Sequence, residues 1–194
     1  YGCGFLHEGE SVQKQSIDKL GDHRADWVRE YDPGSLLPHC RVPILFVNGT
    51  NDIHYVLDSY QKSFDAVPDD TQKQMRIEVK MRHGHQPGWA PEEIGLFIDS
   101  KCRDGKPLPV PALPTIKGDT VTLACTAAVP LKSAQLHYTT DGGLRSKREW
   151  KSLDATIDGK TITAPAPPSA ANTWFLSVTD ERDAMVSTSV QFTE

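Results

Sequence analysis

The hydrophobic residues in the first half of the chain alternate between helical spacing and short continuous runs. Apolar side chains between residues 11 and 31 recur at roughly helical intervals, which predicts one or two helices interrupted near Gly21. The run ILFV at 44–47 ends at Gly49 and predicts a strand that is buried on both faces. The next segment predicts a helix, because its apolar residues lie at i, i+3, i+7 and i+10: Leu57, Tyr60, Phe64 and Val67.

A second strand and a second helix follow directly. Apolar residues alternate through 75–81, which predicts a strand. The segment 91–103 predicts a helix, because Pro91 lies in its first turn, Glu92 and Glu93 complement its positive end, and Gly105 ends it. The order strand, helix, strand, helix with short connections predicts an α/β domain with a parallel sheet and flanking helices.

The pattern changes after residue 104. Segment 105–114 contains four prolines and predicts a stiff, extended linker between domains. Beyond it, Asp158 and Gly159 predict a hairpin turn, and the apolar residues recur at every second position. Examples are Val121, Leu123, Cys125, Trp174, Leu176 and Val178. We therefore predict an α/β portion at 1–104, a Pro-rich linker at 105–114 and an all-β, immunoglobulin-like sandwich at 115–194.

Composition excludes several classes of function. The 194 residues carry a formal net charge of −5 and no basic block, which argues against tight nucleic-acid binding. No apolar run reaches the ~18 residues that a membrane-spanning helix needs, so no membrane span is expected. The four cysteines include no C-x-x-C pair, so a zinc or thioredoxin-like site has no support and any disulfide pairing stays open.

The candidate chemistry follows the two predicted strands. Asp52 lies three residues beyond Gly49, and His83 and His85 lie beyond the next strand. Functional residues of α/β sheets gather at the carboxyl ends of the strands, and neighbouring strands lie ~5 Å apart, so these loops can meet. A hydroxyl nucleophile requires an imidazole that takes its proton, and a carboxylate holds that imidazole in the correct tautomer. A His-Gly-His metal pair with His54 or His39 as a third ligand is disfavoured, because a stable zinc site needs three or four fixed ligands.

The two loops also resemble a known family. The segments at 31–52, 76–89 and 91–99 resemble the last third of an α/β-hydrolase domain of the acetyl xylan esterase, dienelactone hydrolase and prolyl-oligopeptidase-like group. The acid of that group lies in a P-x-L-x-x-x-G-x-x-D pattern, matched here by Pro43, Leu45, Gly49 and Asp52. Its histidine commonly follows a glycine, which points to His85 after Gly84. An appended sandwich is similar in layout to the PhoPQ-activated pathogenicity-related proteins.

The nucleophile of such a triad is not evident in the chain. No G-x-S-x-G occurs, and the serines of the first half lie in predicted helices or turns. Cys3 is a candidate nucleophile, but it is not followed directly by the helix that begins after the strand-to-helix turn of such a nucleophile. The resemblance implies that the segment around Cys3 comes after the nucleophile. We therefore expect the serine and the oxyanion donors to lie upstream of Tyr1, in a missing N-terminal part of the same protein.

The resemblance implies a serine-dependent acyl hydrolase, with Asp52 orienting His85 as general base and with an ester as substrate. His54, Tyr55 and His83 are candidates for the substrate pocket. No cofactor and no metal are implied, and the expected partner is a small-molecule or polysaccharide-linked ester. An appended sandwich suggests a periplasmic or secreted protein. Two alternatives stay open: a prolyl-oligopeptidase-like peptidase, and a non-catalytic binding module whose hydrolase half is degenerate.

Overall fold

Short helices precede the first strand, as the apolar spacing predicts. The computed structural model describes residues 2–81 and 83–193. The interruption near Gly21 has a backbone cause, since this residue has a φ of +57°, which glycine adopts without steric cost. The elements are α1 (Lys14–Asp18), α2 (Arg24–Tyr31) and α3 (Pro33–Leu36), with 3₁₀ turns at Gly21–His23 and Leu37–His39.

One βαβ unit follows, formed by β1 (Ile44–Gly49), α4 (Leu57–Ala66) and β2 (Lys73–Glu78). The two strands are parallel and in register over their whole length. Tyr60 of α4 packs edge-on against Phe46 at 5.6 Å between ring centroids, and its hydroxyl donates to the Val47 carbonyl. These local elements agree with the prediction. Because the strands are parallel, the loops that follow them lie at the same edge of the sheet.

The sheet then continues into the second half of the chain by antiparallel pairing. Its order is β1, β2, β11 (Met185–Ser187), β10 (Thr173–Asp180), β6 (Leu131–Thr139) and β7 (Lys151–Asp154), and β12 (Gln191–Phe192) also pairs with β10. Among the strands described, β1 and β2 are the parallel pair and the others are antiparallel. The predicted parallel α/β-hydrolase sheet with a separate sandwich is therefore wrong.

The prediction failed at the edge of β2, where a further parallel strand was expected. A parallel sheet needs a crossover connection for every added strand, but after residue 104 the sequence provides short strands joined by turns. The edge is covered by β11 instead, where the Ser187 hydroxyl accepts from the Ile77 amide at 2.9 Å and donates to the Ile77 carbonyl at 3.3 Å. Local periodicity does not specify which distant strand joins an open edge.

A second, smaller sheet contains the hairpin that the sequence predicts. Its strands are β3 (Val110–Pro111), β4 (Thr115–Lys117), β5 (Thr120–Thr126), β8 (Thr156–Asp158) and β9 (Thr161–Pro165). The turn at Gly159 has a φ of +57° and joins β8 to β9. Val121, Leu123 and Cys125 of β5 are all buried on one face, as their alternation predicts.

Hydrophobic clusters cover both faces of the larger sheet. On one face, Leu176 of β10 packs with residues of the smaller sheet and with Phe97. On the other, Phe175 packs with Phe46 and Tyr60 from the βαβ unit. The chain therefore forms three layers, and β10 is buried on both faces although its sequence alternates. Because the two faces draw on both halves of the chain, separating the halves would expose a large apolar area.

The Pro-rich segment is extended, as predicted, and it packs along the joined halves. The side-chain amide of Gln74 donates to the Pro109 carbonyl at 2.8 Å. Arg182 donates to the carbonyls of Lys106 and Pro107 at 2.8 and 3.0 Å. With Leu108 also buried, this segment is fixed to the folded body along its length.

A buried ion pair fixes the helix after β2 to the joined sheet. The helices here are α5 (His85–Trp89) and α6 (Glu93–Cys102). Glu93 in the first turn of α6 lies 3.2 Å from Arg76 of β2, and its other oxygen accepts the Met185 amide of β11 at 2.7 Å. One carboxylate thus contacts the two strands that join the halves.

Replacing Glu93 should destabilise the joint. Glu93→Ala leaves Arg76 with the more exposed Glu78 as its counter-ion and the Met185 amide without its acceptor, so we expect a loss of about 3 kcal/mol in the free energy of unfolding, measured by urea titration. Glu92→Ala is the matched control, because its exposed side chain caps nothing and should change stability by less than ~0.5 kcal/mol. Equal effects would contradict a stabilising role for this pair.

A histidine lies inside the larger sheet. His137 is buried between two hydroxyls, with Nδ1 at 2.8 Å from Ser152 and Nε2 at 2.8 Å from Ser177. Burial lowers the pKa of His137 to about 4. Because burial penalises the charged imidazolium, and the two hydroxyls satisfy both nitrogens of the neutral ring, the neutral ring is the form that this site favours.

Acid should therefore weaken the fold through His137. Its folded-state pKa lies below the ordinary value of ~6.5, so between pH ~6.5 and ~4 the unfolded chain binds a proton that the folded chain excludes. We expect stability from this group to be complete above pH ~6.5 and to fall by up to ~3 kcal/mol on acidification to pH ~4. His137→Gln should remove that component of the pH dependence in urea titrations, whereas the exposed His39→Gln should retain it.

Candidate active site

The loop after β1 is built around the Asp52 carboxylate. Asp52 is 3% exposed, and its Oδ1 accepts the backbone amides of His54 at 2.8 Å and Tyr55 at 2.9 Å. Such a local turn is what an aspartate favours in a loop. The Thr50 hydroxyl accepts the Lys80 amide at 3.0 Å, which fixes this loop to the one after β2. Backbone amides therefore orient the carboxylate independently of any side-chain partner.

His83 from the loop after β2 completes the pair. Its Nδ1 lies 2.7 Å from Asp52 Oδ2, while the His83 side chain remains 35% exposed. Because a carboxylate accepts hydrogen bonds, Nδ1 is the donor, and in the neutral ring Nε2 carries the lone pair. The arrangement combines a buried orienting acid with an accessible base.

The prediction that Asp52 contacts His85 is wrong. Strand β2 ends at Glu78, three residues before the predicted end, and Lys80 with a φ of +59° turns the chain early, so His83 already reaches Asp52. Gly84 adopts φ +152° and ψ 168°, a conformation nearly restricted to glycine. His85 then begins α5, and its ring contacts Trp89 edge-on at 5.5 Å.

The other two pocket candidates lie beside His83. The His54 ring stacks on the His83 ring with centroids 4.4 Å apart and planes at 30°, and the Tyr55 ring lies 5.6 Å from His83. Burial, with a smaller contribution from the Asp52 carboxylate, raises the pKa of Tyr55. Tyr55 also lines a cavity of about 570 Å³ along the edge of β1 with apolar residues that include Cys3, Leu6, Trp27, Phe46 and Tyr60.

The serines near this site are engaged with backbone. Ser11 donates to the His54 carbonyl at 2.7 Å, which holds the Asp52 loop from the other side. Three further hydroxyls, those of Ser35, Ser59 and Ser63, also donate to carbonyl oxygens. Cys3 is buried, and burial raises the pKa of its thiol, with the nearby Asp52 carboxylate acting in the same direction. A thiol held in its protonated form is a poor nucleophile.

Sequence reasoning missed a second aspartate–histidine pair. Asp32 is fully buried and lies 3.0 Å from His7 Nδ1. The same carboxylate accepts the amides of Phe5, Leu6 and Gly34 at 2.7 to 3.0 Å. With three backbone donors it acts as the N-cap of α3 and fixes the 4–7 segment. The N-cap role of Asp32 could have been predicted from the Asp-Pro-Gly sequence at 32–34, which is typical of a helix start.

Within residues 2–81 and 83–193 no group of three or more His, Cys, Asp and Glu side chains is arranged to hold a metal ion. The His54 ring stacks on the His83 ring, whereas the His85 ring contacts Trp89. All four cysteines are free thiols. In the described parts of the chain, no helix is long and apolar enough to cross a membrane.

Comparisons with known proteins do not assign the chain to a family. No family model matches, and no curated protein is similar enough to count as a relative. Thirteen chains of solved structures match. They include pectate lyase PelI from Erwinia chrysanthemi in complex with tetragalacturonic acid, with 19% identity and a TM-score of 0.28 over 44% of this chain and 28% of the lyase. A family 56 carbohydrate-binding module, a β-1,3-glucan binding domain, matches with 12% identity and a TM-score of 0.28 over 45% of this chain and 99% of the module. The similarity is too low to bear on function.

Thiol chemistry offers a direct test of the Cys3 environment. We expect the exposed Cys102 to react rapidly with a disulfide reagent under native conditions, and Cys3 to react on the order of 100-fold more slowly, because its thiol is buried and its pKa is raised. Reaction can be followed by mass spectrometry of proteolytic peptides, and denaturant should equalise the two rates. Native labelling of Cys3 as fast as Cys102 would instead favour Cys3 as the nucleophile.

Proposed function

We propose that Asp52 and His83 form the acid–base pair of a serine-dependent acyl hydrolase, acting on carboxylic esters. The observation that carries the proposal is the 2.7 Å contact between a buried carboxylate and a partly exposed imidazole. The two groups come from the loops after adjacent parallel strands, and the carboxylate is fixed independently by two backbone amides. A histidine paired with a solvent-exposed carboxylate would not be held in one orientation in this way.

Each group would have a defined part in the reaction. Asp52 holds the His83 proton on Nδ1, so that Nε2 can take the proton of a hydroxyl nucleophile as the acyl–oxygen bond forms. The carboxylate then stabilises the imidazolium, and His83 returns the proton to the departing alkoxide. Water takes the place of the alcohol in the second half of the cycle and repeats the same proton transfers. The pair therefore supports both acylation and deacylation.

The nucleophile of the proposed reaction is a serine, which the sequence resemblance implies comes before the matched segments. The hydroxyls of Ser11, Ser35, Ser59 and Ser63 donate to backbone, which is consistent with a serine outside this set. The pair alone would serve an ester or a peptide, and the resemblance favours a small-molecule or polysaccharide-linked ester. No step requires a cofactor.

The proposal can be tested by substituting the pair in the protein that carries its upstream segment. We expect His83→Ala to lower kcat for p-nitrophenyl acetate by at least ~10³-fold, and Asp52→Asn by a similar factor, because the amide stabilises the wrong tautomer. His85→Ala is the matched control and should stay within about threefold of wild type, since it removes an exposed histidine of the same loop without touching Asp52.

A fluorophosphonate probe gives a second readout, because it labels a serine only when a base activates it. Labelling should depend on His83 and be unchanged in His85→Ala. Full labelling and turnover in His83→Ala would contradict the assignment of the base. No labelling of the unaltered protein would favour the binding-module alternative over the hydrolase.

A further inference from the structure

His54 stands out because two independent contacts place it against the proposed base. Its backbone amide donates to Asp52 Oδ1 at 2.8 Å, and its carbonyl accepts the Ser11 hydroxyl at 2.7 Å. These bonds fix the backbone from which the imidazole projects. The His54 ring then lies 4.4 Å from the His83 ring at an angle of 30°, within the range of offset stacking.

Stacking supplies a restraint that the contact with Asp52 lacks. A single hydrogen bond at Nδ1 restrains one atom of the His83 ring and does not by itself define the plane of the ring, whose side chain is 35% exposed. A flat neighbour against one face does define that plane, and the Tyr55 ring at 5.6 Å, tilted by 47°, restrains it further.

We propose that His54 is a positioning residue for His83, whose stacked ring holds the plane of the imidazole so that Nδ1 stays on Asp52 and Nε2 stays presented for proton transfer. Asp52 thereby orients both rings, one through its side chain and one through the backbone of its own turn. The effect on rate rests on the proposed function, whereas the restraint on the ring is a property of this chain by itself.

The proposal makes planarity the property that matters. His54→Phe retains a flat ring in the same place and should preserve the restraint. His54→Ala removes it, and His54→Leu replaces it with an apolar side chain of similar bulk that cannot stack. His85→Ala is the matched control, because it deletes a neighbouring histidine whose ring contacts Trp89 rather than His83.

The restraint can be measured on the chain without any activity. The proton on His83 Nδ1 should give a low-field NMR signal that is protected from exchange by its bond to Asp52, and Asp52→Asn should abolish it. We expect the signal to persist in His54→Phe and His85→Ala, and to broaden or exchange at least ~10-fold faster in His54→Ala and His54→Leu. Thermal unfolding of each variant separates loss of the ring contact from loss of the fold.

The effect on catalysis uses the protein with its upstream segment. His54→Ala and His54→Leu should lower kcat by about 10- to 100-fold with little change in KM, because a misplaced base slows proton transfer without removing substrate contacts, and His54→Phe should restore it. An unchanged Nδ1 signal in folded His54→Leu, or a failure of His54→Phe to restore it, would overturn the proposal. If the NMR results hold but no variant or wild type shows turnover, positioning stands and the hydrolase proposal fails.

Discussion

The antiparallel junction between β2 and β11 is the contact on which the rest of the structure depends. It turns a single βαβ unit and a set of antiparallel strands into one sheet, with Ser187 bonding to both polar groups of Ile77. Once the sheet is continuous, each face needs its own cover. Helices α1 and α4 cover one face, and α6 with the smaller sheet covers the other. A break at this junction would leave Phe175 and its neighbours without their packing partners.

Buried charges lie at the places where separate segments meet. Glu93 joins α6 to β2 and β11, and Asp32 joins the 4–7 segment to α3. Asp180 binds Arg182, which in turn holds the Pro-rich segment. Each carboxylate accepts backbone amides as well as a charged or polar side chain. A buried charge is tolerated only where such donors compensate for lost hydration, so these contacts also restrict which segments can meet.

Asp52 is also a buried carboxylate that accepts backbone amides, but it differs in one respect that bears on the proposed function. Its two backbone donors belong to its own turn, so the orientation of the carboxylate does not depend on the second loop. Its remaining partner, His83, is partly exposed, whereas the partners of Glu93 and Asp32 lie deeper in the fold. A buried acid against an accessible imidazole is the arrangement that proton transfer needs. The same turn also places His54 and Tyr55 against the His83 ring.

The sequence by itself determined the local elements and the place of Asp52 in the loop after β1. Helical spacing from Leu57 to Val67, the apolar run before Gly49 and the alternation around Leu123 all identified real elements, because each depends on side chains close in the chain. The same holds for Asp52, whose place after a strand and whose short side chain favour the turn that it forms.

Tertiary structure decided the sheet and the partner of Asp52. The pairing of β2 with β11 joins residues more than a hundred positions apart, and the period of a strand does not encode its neighbour. The choice of His83 over His85 depended on the strand ending at Glu78 and on the turn at Lys80, a shift of a few residues that period alone does not fix. The bend at Gly84 then carries His85 into α5 and away from Asp52. His83, which lies before the bend, is the histidine within hydrogen-bond distance of the carboxylate.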